Sequence, residues 1–142
     1  MMTKNKSIET IQNHYFAAID LGSRNCRLLI AKKTEQGLEK LEATSRFVCL
    51  GEQMNKTQRL SFEAMDRALD TLELFQKRIS RYKGITTLAI TTAASRNASN
   101  SHSFLERIKQ ELNIDLHIIS SQQEALFATL GCAELVNPHY SR

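Results

Sequence analysis

Residues 16–30 read FAAIDLGSRNCRLLI, in which one apolar run ends in Asp-Leu-Gly-Ser and a second begins almost at once. Two apolar runs joined by a short glycine-containing segment predict a β-hairpin. The turn carries Asp20, Gly22 and Ser23. Backbone N–H groups at a glycine turn can cradle a phosphate, and a neighbouring carboxylate can hold the Mg²⁺ that accompanies it. The hairpin therefore predicts a phosphate-handling site, and a plain hairpin turn is the alternative.

The patterning of the chain changes from strand-like to helix-like at Leu60. Apolar residues recur at helical spacing from Phe62 to Tyr82, which predicts a helix with Ser61 as its N-cap and Gly84 just beyond its end. The expected elements are, in chain order, strands at 15–21, 26–33 and about 38–49, this helix, a strand at 85–92, a helix from about 100 to 113, a strand at 116–120 and a helix from Ser121 to about 135. This order, βββαβαβα, predicts an α/β domain with a mixed five-stranded sheet flanked by helices.

A chain of 142 residues is expected to form one domain. We assign this domain to residues 14–136, between a flexible polar tail at 1–13 and a short tail at 137–142 that begins with Asn137-Pro138. The net charge of +4 suits an anionic ligand. Basic residues form only short, separated clusters and aromatic residues make up 6% of the chain, so no nucleic-acid partner is expected.

The three cysteines and four histidines are scattered through the chain and lack the spacing of a metal site. Reduced cysteines in or near apolar elements favour a reducing compartment. The sequence contains neither a signal peptide nor an apolar run of the roughly 20 residues that span a bilayer. We therefore expect a cytoplasmic protein with no membrane partner.

Two further segments carry residues suited to chemistry. Arg96 follows a predicted buried strand, at the kind of strand end where open α/β sheets bind ligands, and its planar guanidinium could clamp a phosphate. The alternative is a surface-loop arginine. Glu124 lies three residues after Ser121, which is the pattern of a capping box. Glu124 could also serve as a general base for an attacking water, and the two roles are compatible.

Taken together, these segments resemble the exopolyphosphatase and guanosine pentaphosphate phosphohydrolase family from about residue 16 to residue 136. The segments that carry the resemblance are Ala18–Ser23 with Arg27-Leu28, Leu50-Gly51-Glu52, Leu60-Ser61 with Ala68-Leu69, Thr92–Ala98 with Asn100 and Phe104-Leu105, and Ile118–Ser120 with Glu124-Ala125 and Gly131. The chain differs from the family pattern at a few positions. Arg24 stands where the family has Asn, and Gln123 replaces the first residue of a Glu-Glu pair.

The resemblance implies an actin-like ATPase fold of two ribonuclease H-like lobes, of which this chain is the first. It implies Mg²⁺-dependent hydrolysis of the terminal phosphates of polyphosphate, or of the 5′ γ-phosphate of pppGpp. By position, Glu124 is the catalytic base, and Asp20 is the catalytic aspartate that handles the metal or the water. The phosphate-binding residues implied by the resemblance are Gly22, Ser23, Arg24 and Asn25 in the turn, together with Arg96.

The family's second phosphate motif, Asp-x-Gly-Gly-Gly-Ser, does not occur in the sequence. We therefore expect a truncated or split form with little activity alone, and the sequence leaves open whether the chain is an enzyme and which of the two substrates it uses. The alternatives are a non-catalytic anion-binding or protein-interaction module, and a half-enzyme completed in trans by a separate C-terminal lobe or by self-association. An ATP-binding lobe of a sugar- or acetate-kinase-like relative is disfavoured by the Leu-Gly-Glu and Glu124-Ala125 segments.

Overall fold

The structure, a computed structural model, describes residues 14–136, with side chains as far as Ala128. The strands are β1 (Tyr15–Leu21), β2 (Asn25–Thr34), β3 (Gly37–Phe47), β4 (Thr86–Thr91) and β5 (Leu116–Ile118). The helices are α1 (Met54–Thr57), α2 (Phe62–Ile79), α3 (Ala93–Asn97), α4 (Ser101–Leu112) and α5 (Ser121–Val136). The two expected tails, the Asn137-Pro138 helix end and the side chain of Cys132 lie outside this description.

All five strands form one sheet in the order β3-β2-β1-β4-β5, which confirms the predicted mixed sheet. β1, β2 and β3 form an antiparallel meander, whereas β4 runs parallel to β1 and β5 runs parallel to β4. The carboxyl ends of β1, β4 and β5 therefore meet at one edge of the sheet, where Leu21 pairs with Thr91 and Thr91 with Ile118. Open α/β sheets bind their ligands at such an edge.

One face of the sheet packs against α2 and α4. Leu28 and Ile30 of β2, Leu72 and Phe75 of α2, and Ile108 of α4 belong to the core cluster and are almost wholly buried. The two-residue period of the strands sends alternate side chains to the opposite face. Phe16, Leu29 and Leu88 lie on that face and remain exposed to solvent, as does Ala18. Within residues 14–136, no helix has the length and apolarity needed to cross a membrane.

The long helix begins as predicted but ends earlier. The Ser61 hydroxyl accepts the Ala64 N–H at 3.1 Å, which is the expected N-cap. α2 then stops at Ile79, and Gly84, with φ of +73°, lies in the turns that follow the helix. Phe62, the first residue of the predicted apolar stripe, is 77% exposed because it is the first helical residue, and burial along α2 begins only at Ala64.

The element order also differs from βββαβαβα, because α1 and α3 are additional helices. They contain four and five residues, which is too short to produce a helical period in the sequence. The third strand ends at Phe47 because the backbone of Val48 and Cys49 turns away to bond the carbonyl of Arg24. That departure brings the segment after β3 against the β1–β2 turn.

Candidate functional site

The turn between β1 and β2, residues 22–25, is closed by a backbone hydrogen bond and is contacted by the start of α3. The Gly22 N–H donates to the Asn25 carbonyl at 2.9 Å. A Cβ at Gly22 would lie 3.2 Å from that oxygen, a tight approach that favours glycine. The Ser23 hydroxyl oxygen accepts the Ala94 N–H at the start of α3 at 3.1 Å. A hydroxyl that accepts in this way can still donate its own hydrogen.

A cavity of about 530 Å³ opens beside this turn, at the carboxyl edge of the parallel strands. Six of the seven predicted site residues line it, and they come from the turn, from the end of β1 and from the start of α5: Asp20, Gly22, Ser23, Arg24, Asn25 and Glu124. The fold brings Asp20 and Glu124 to one cavity although they are far apart in sequence, because the carboxyl ends of β1 and β5 lie at the same edge of the sheet. Apolar side chains of Ile90, Ile119 and Phe127 complete the wall.

Among the polar groups of the site, Asp20 stands out because its environment disfavours the charged form of its carboxyl group. Its Oδ1 is buried and has no hydrogen-bond partner within the part of the chain whose side chains are described. Burial raises the pKa of this carboxyl above its ordinary value of 3.8; the Arg27 guanidinium acts in the opposite direction, and the Glu124 carboxylate adds to the rise. A carboxylate oxygen kept buried and unpartnered beside a cavity is suited to receive a cation.

Arg27 lines the cavity but was not among the predicted site residues. It lies directly opposite Asp20 across the β1–β2 pair. The sequence of the hairpin could have identified Arg27 as a site residue. When Leu21 and Cys26 pair to close the turn at 22–25, Asp20 and Arg27 form the next pair along the two strands. The cavity is therefore lined by two arginines, Arg24 and Arg27, as well as by its two carboxylates.

The predicted capping box at Ser121 and Glu124 is wrong by one residue. The hydroxyl of Ser120 accepts the Gln123 N–H at 3.1 Å, and the Gln123 Oε1 accepts the Ser120 N–H at 2.8 Å. α5 thus begins after Ser120, and Ser121 is its first helical residue. The side chain of Glu124 takes no part in this cap, so capping does not explain its presence.

Glu124 is instead held by Arg96. The Arg96 Nη2 donates to Glu124 Oε2 at 3.1 Å, and its Nη1 donates to the Ile119 carbonyl at 2.7 Å. The Arg96 side chain is 21% exposed and does not line the cavity. The structure thus shows Arg96 bonded to Glu124 and to the Ile119 carbonyl, and its predicted role as a phosphate ligand stays a prediction.

The side chains of the site suit a hydrated Mg²⁺ ion better than a metal ion that is coordinated only by protein ligands. No cluster of three or more His, Cys, Asp or Glu side chains that could hold a metal occurs in the described region. Mg²⁺ is usually bound through one or two carboxylates, water and substrate phosphates, and keeps several waters. Asp20, with its unpartnered Oδ1, and Glu124 on the same cavity supply such carboxylates. The donor set therefore fits a Mg²⁺ ion that arrives with a phosphate ligand.

Comparison with known proteins gives a consistent result. Residues 29–142 match the model of the Ppx/GppA phosphatase family. The chain is 32% identical over 125 residues to the guanosine-5′-triphosphate,3′-diphosphate pyrophosphatase of Vibrio atlanticus, which covers 88% of this chain and 25% of that protein. This chain therefore spans about a quarter of the length of that curated relative.

Solved structures show the same fold. The Ppx/GppA family member of Aquifex aeolicus superposes with a TM-score of 0.75 at 30% identity, covering 80% of this chain and 37% of that one. An exopolyphosphatase from Cytophaga hutchinsonii superposes with a TM-score of 0.75 at 34% identity, covering 78% of this chain and 36% of that one. The α/β domain is therefore a ribonuclease H-like lobe of the actin-like ATPase type, as the sequence predicted.

Proposed function

The chain belongs to the Ppx/GppA phosphatase family, and from this premise we propose that it is the lobe that binds and positions a phosphate chain for hydrolysis of its terminal phosphoanhydride. The proposed substrates are polyphosphate and pppGpp. One observation carries the proposal: the 22–25 turn, Asp20 and Glu124 line a single cavity at the carboxyl edge of the sheet. A glycine turn, a carboxylate with an unpartnered buried oxygen and a second carboxylate form a set suited to phosphate hydrolysis.

Each residue has a distinct part in the proposed reaction. The backbone N–H groups of Ser23 and Arg24 and the Arg24 guanidinium bind phosphate oxygens. Glu124 orients a water for attack on the terminal phosphorus and accepts its proton, while the bond to the bridging oxygen breaks and the shortened chain leaves as an anion. Asp20 would hold the Mg²⁺ ion, which would neutralise part of the charge of the phosphate chain when bound. The Ser23 hydroxyl adds a further donor to the turn.

We further propose that this lobe alone hydrolyses its substrate slowly. Most of the rate in phosphoryl transfer comes from donors and cations positioned around the transferred group. The sequence has no Asp-x-Gly-Gly-Gly-Ser segment to supply such donors from the opposite side of the cavity. A separate lobe carrying that motif, or a second copy of this chain, is the proposed completing partner. The proposed compartment is the cytoplasm, supported by the free, buried thiol of Cys26.

Calorimetric titration with tripolyphosphate and with pppGpp, each with Mg²⁺, tests the binding part of the proposal. We expect measurable but weak binding that needs Mg²⁺ and is reduced in Asp20→Asn. Glu111→Gln, a change at an exposed carboxylate on α4, serves as the control and should bind as the unaltered chain does. If the chain binds neither tripolyphosphate nor pppGpp, the proposed function is contradicted.

Phosphate-release assays test the catalytic part. We expect negligible release by the chain alone, and release that depends on Glu124 once a lobe carrying the second phosphate motif is added. Turnover by the chain alone that is as fast as with the added lobe, and that Glu124→Gln abolishes, would contradict the need for a second lobe. Turnover that survives Glu124→Gln would contradict the role of Glu124. Binding without turnover, even with the added lobe, would support the non-catalytic anion-binding module instead.

A further inference from the structure

We propose that Arg67 and Glu52, neither of which lines the cavity, are positioning residues that hold the phosphate-binding turn in its working shape. They act through the bracing segment, defined here as residues 48–52, which lies between β3 and α1 against the turn. The effect on ligand binding rests on the proposed function, whereas the effect on the backbone does not.

The bracing segment bonds the turn through three backbone groups. The N–H groups of Val48 and Cys49 both donate to the Arg24 carbonyl, at 2.8 and 2.9 Å. The N–H of Gly51 donates to the Ser23 carbonyl at 3.0 Å. The carbonyls of Ser23 and Arg24 are thereby directed at the bracing segment. The Ser23 and Arg24 carbonyls belong to the same peptide groups as the N–H groups of Arg24 and Asn25. Fixing these carbonyls therefore also fixes the direction of the Arg24 N–H, one of the proposed phosphate donors.

Arg67 fastens the bracing segment to α2. Its Nε donates to the Val48 carbonyl at 2.8 Å, and its Nη2 reaches the Cys49 carbonyl at 3.5 Å and also contacts the Glu52 carboxylate. Val48 and Cys49 are also the residues whose N–H groups donate to the Arg24 carbonyl. A guanidinium can serve several acceptors in one plane, which a lysine ammonium on a flexible stem does less well. Glu52 fixes the orientation of that plane from the other end of the segment.

The backbone of the bracing segment needs such support. Cys49 has a φ of +48°, in the left-handed region that side-chain-bearing residues adopt at a cost in free energy. Strained backbone persists where surrounding contacts over-determine it. The Cys49 N–H bond to Arg24 and the Arg67 contact at the Cys49 carbonyl lie on either side of the strained residue.

An ordinary surface ion pair is the alternative explanation. The Arg67 and Glu52 side chains are 40% and 43% exposed, and exposed pairs contribute little to stability. The chain offers a matched comparison in Arg107, which is 44% exposed and pairs with Asp66 and Glu111. Among the described residues, Arg107 forms no hydrogen bond or ion pair with the turn or the bracing segment. If Arg67 acted only as a surface cation, removing either arginine would have the same consequences.

The test uses the full 142-residue chain and compares Arg67→Met and Arg67→Lys with the control Arg107→Met. The first readout is amide hydrogen exchange at Val48, Cys49 and Gly51 without ligand. We expect about tenfold faster exchange in Arg67→Met, an intermediate rate in Arg67→Lys and no change in the control. The second readout is the affinity for tripolyphosphate with Mg²⁺, which should fall about fivefold or more in Arg67→Met and stay unchanged in the control. Similar Tm values for the two methionine variants would exclude general unfolding as the cause.

A charge-exchange variant, Glu52→Arg with Arg67→Glu, separates the ion pair from the carbonyl contacts. It restores opposite charges but cannot donate from position 67, so we expect no rescue; full rescue would overturn the proposal. Unchanged exchange and affinity in Arg67→Met, with normal binding by the unaltered chain, would also overturn it and leave the proposed function standing. If the unaltered chain does not bind tripolyphosphate, the proposed function fails, and the exchange rates alone decide whether Arg67 holds the turn.

Discussion

Arg96 holds Glu124 by a hydrogen bond of 3.1 Å from Nη2 to Oε2, while its Nη1 donates to the carbonyl of Ile119, the residue just after β5. Both contacts come from a residue that does not line the cavity. A carboxylate fixed by a planar guanidinium that is itself bonded to the sheet edge has a defined direction, which a general base requires. The geometry therefore favours Arg96 as the residue that positions Glu124, and a direct phosphate contact by Arg96 stays a prediction.

The two roles of Arg96 give different binding results. If Arg96 positions Glu124, then Arg96→Gln should change the tripolyphosphate affinity by less than about twofold, since no phosphate contact is lost. Arg24→Gln should weaken binding by roughly tenfold, because a charge-assisted contact worth about 1.4 kcal/mol disappears. Calorimetric titration with Mg²⁺ measures both. An Arg96→Gln effect as large as that of Arg24→Gln would identify Arg96 as a phosphate ligand.

The sequence predicted those features of the site that depend on strand pattern and neighbouring residues. The β1–β2 hairpin and the strand ends that carry Asp20 and Glu124 follow from local periodicity, so their convergence at one edge could be expected. The Arg67 contacts with the bracing segment could not, because they join residues whose distance is set only when α2 packs on the sheet. The Arg96–Glu124 pair could not be predicted from the sequence for a related reason. Ser120 and Ser121 offer two capping patterns, and only the path of the chain after β5 selects Ser120.

The choice between these two serines is testable through stability. Ser120→Ala removes the acceptor of the Gln123 N–H and should lower the free energy of unfolding by about 1 kcal/mol, the usual value of an N-cap side chain. Ser121→Ala lies at the first helical position and should change it by less than about half of that. Chemical denaturation of the two variants measures the difference. A larger loss for Ser121→Ala would return Glu124 to the capping role.

Cys49 gives a second stability test, on the backbone that supports the turn. Because its φ of +48° is easy only for glycine, Cys49→Gly should be more stable than Cys49→Ala by about 1 kcal/mol, although alanine is normally the better residue. Both variants lack the thiol, so the comparison isolates the backbone. Thermal and chemical denaturation measure the difference. Equal stability of the two variants would show that the left-handed backbone at Cys49 is not strained.

Asp20 should make the stability of the lobe depend on pH in an unusual direction. Burial raises the pKa of Asp20 above 3.8, so the folded state binds this proton more tightly than the unfolded state does. Ionised Asp20 thus opposes folding at pH values above the raised pKa. This opposition declines as the pH falls towards 3.8 and is gone below it, where the carboxyl is protonated in both states. We therefore expect Asp20→Asn to be more stable than the unaltered chain at pH 7, with the advantage disappearing below about pH 3.8.

Urea denaturation at both pH values measures this difference, and Asp70→Asn, at an exposed position on α2, is the control that should change stability little at either pH. The same variant separates a binding role from a structural one. Mg²⁺ with tripolyphosphate should raise the Tm of the unaltered chain, because a ligand that binds only the folded state stabilises it. The rise should be lost in Asp20→Asn, despite its greater starting stability. A chain in which Asp20→Asn lowers stability at pH 7, or retains the full Tm rise, would show that Asp20 serves the fold and not the cation.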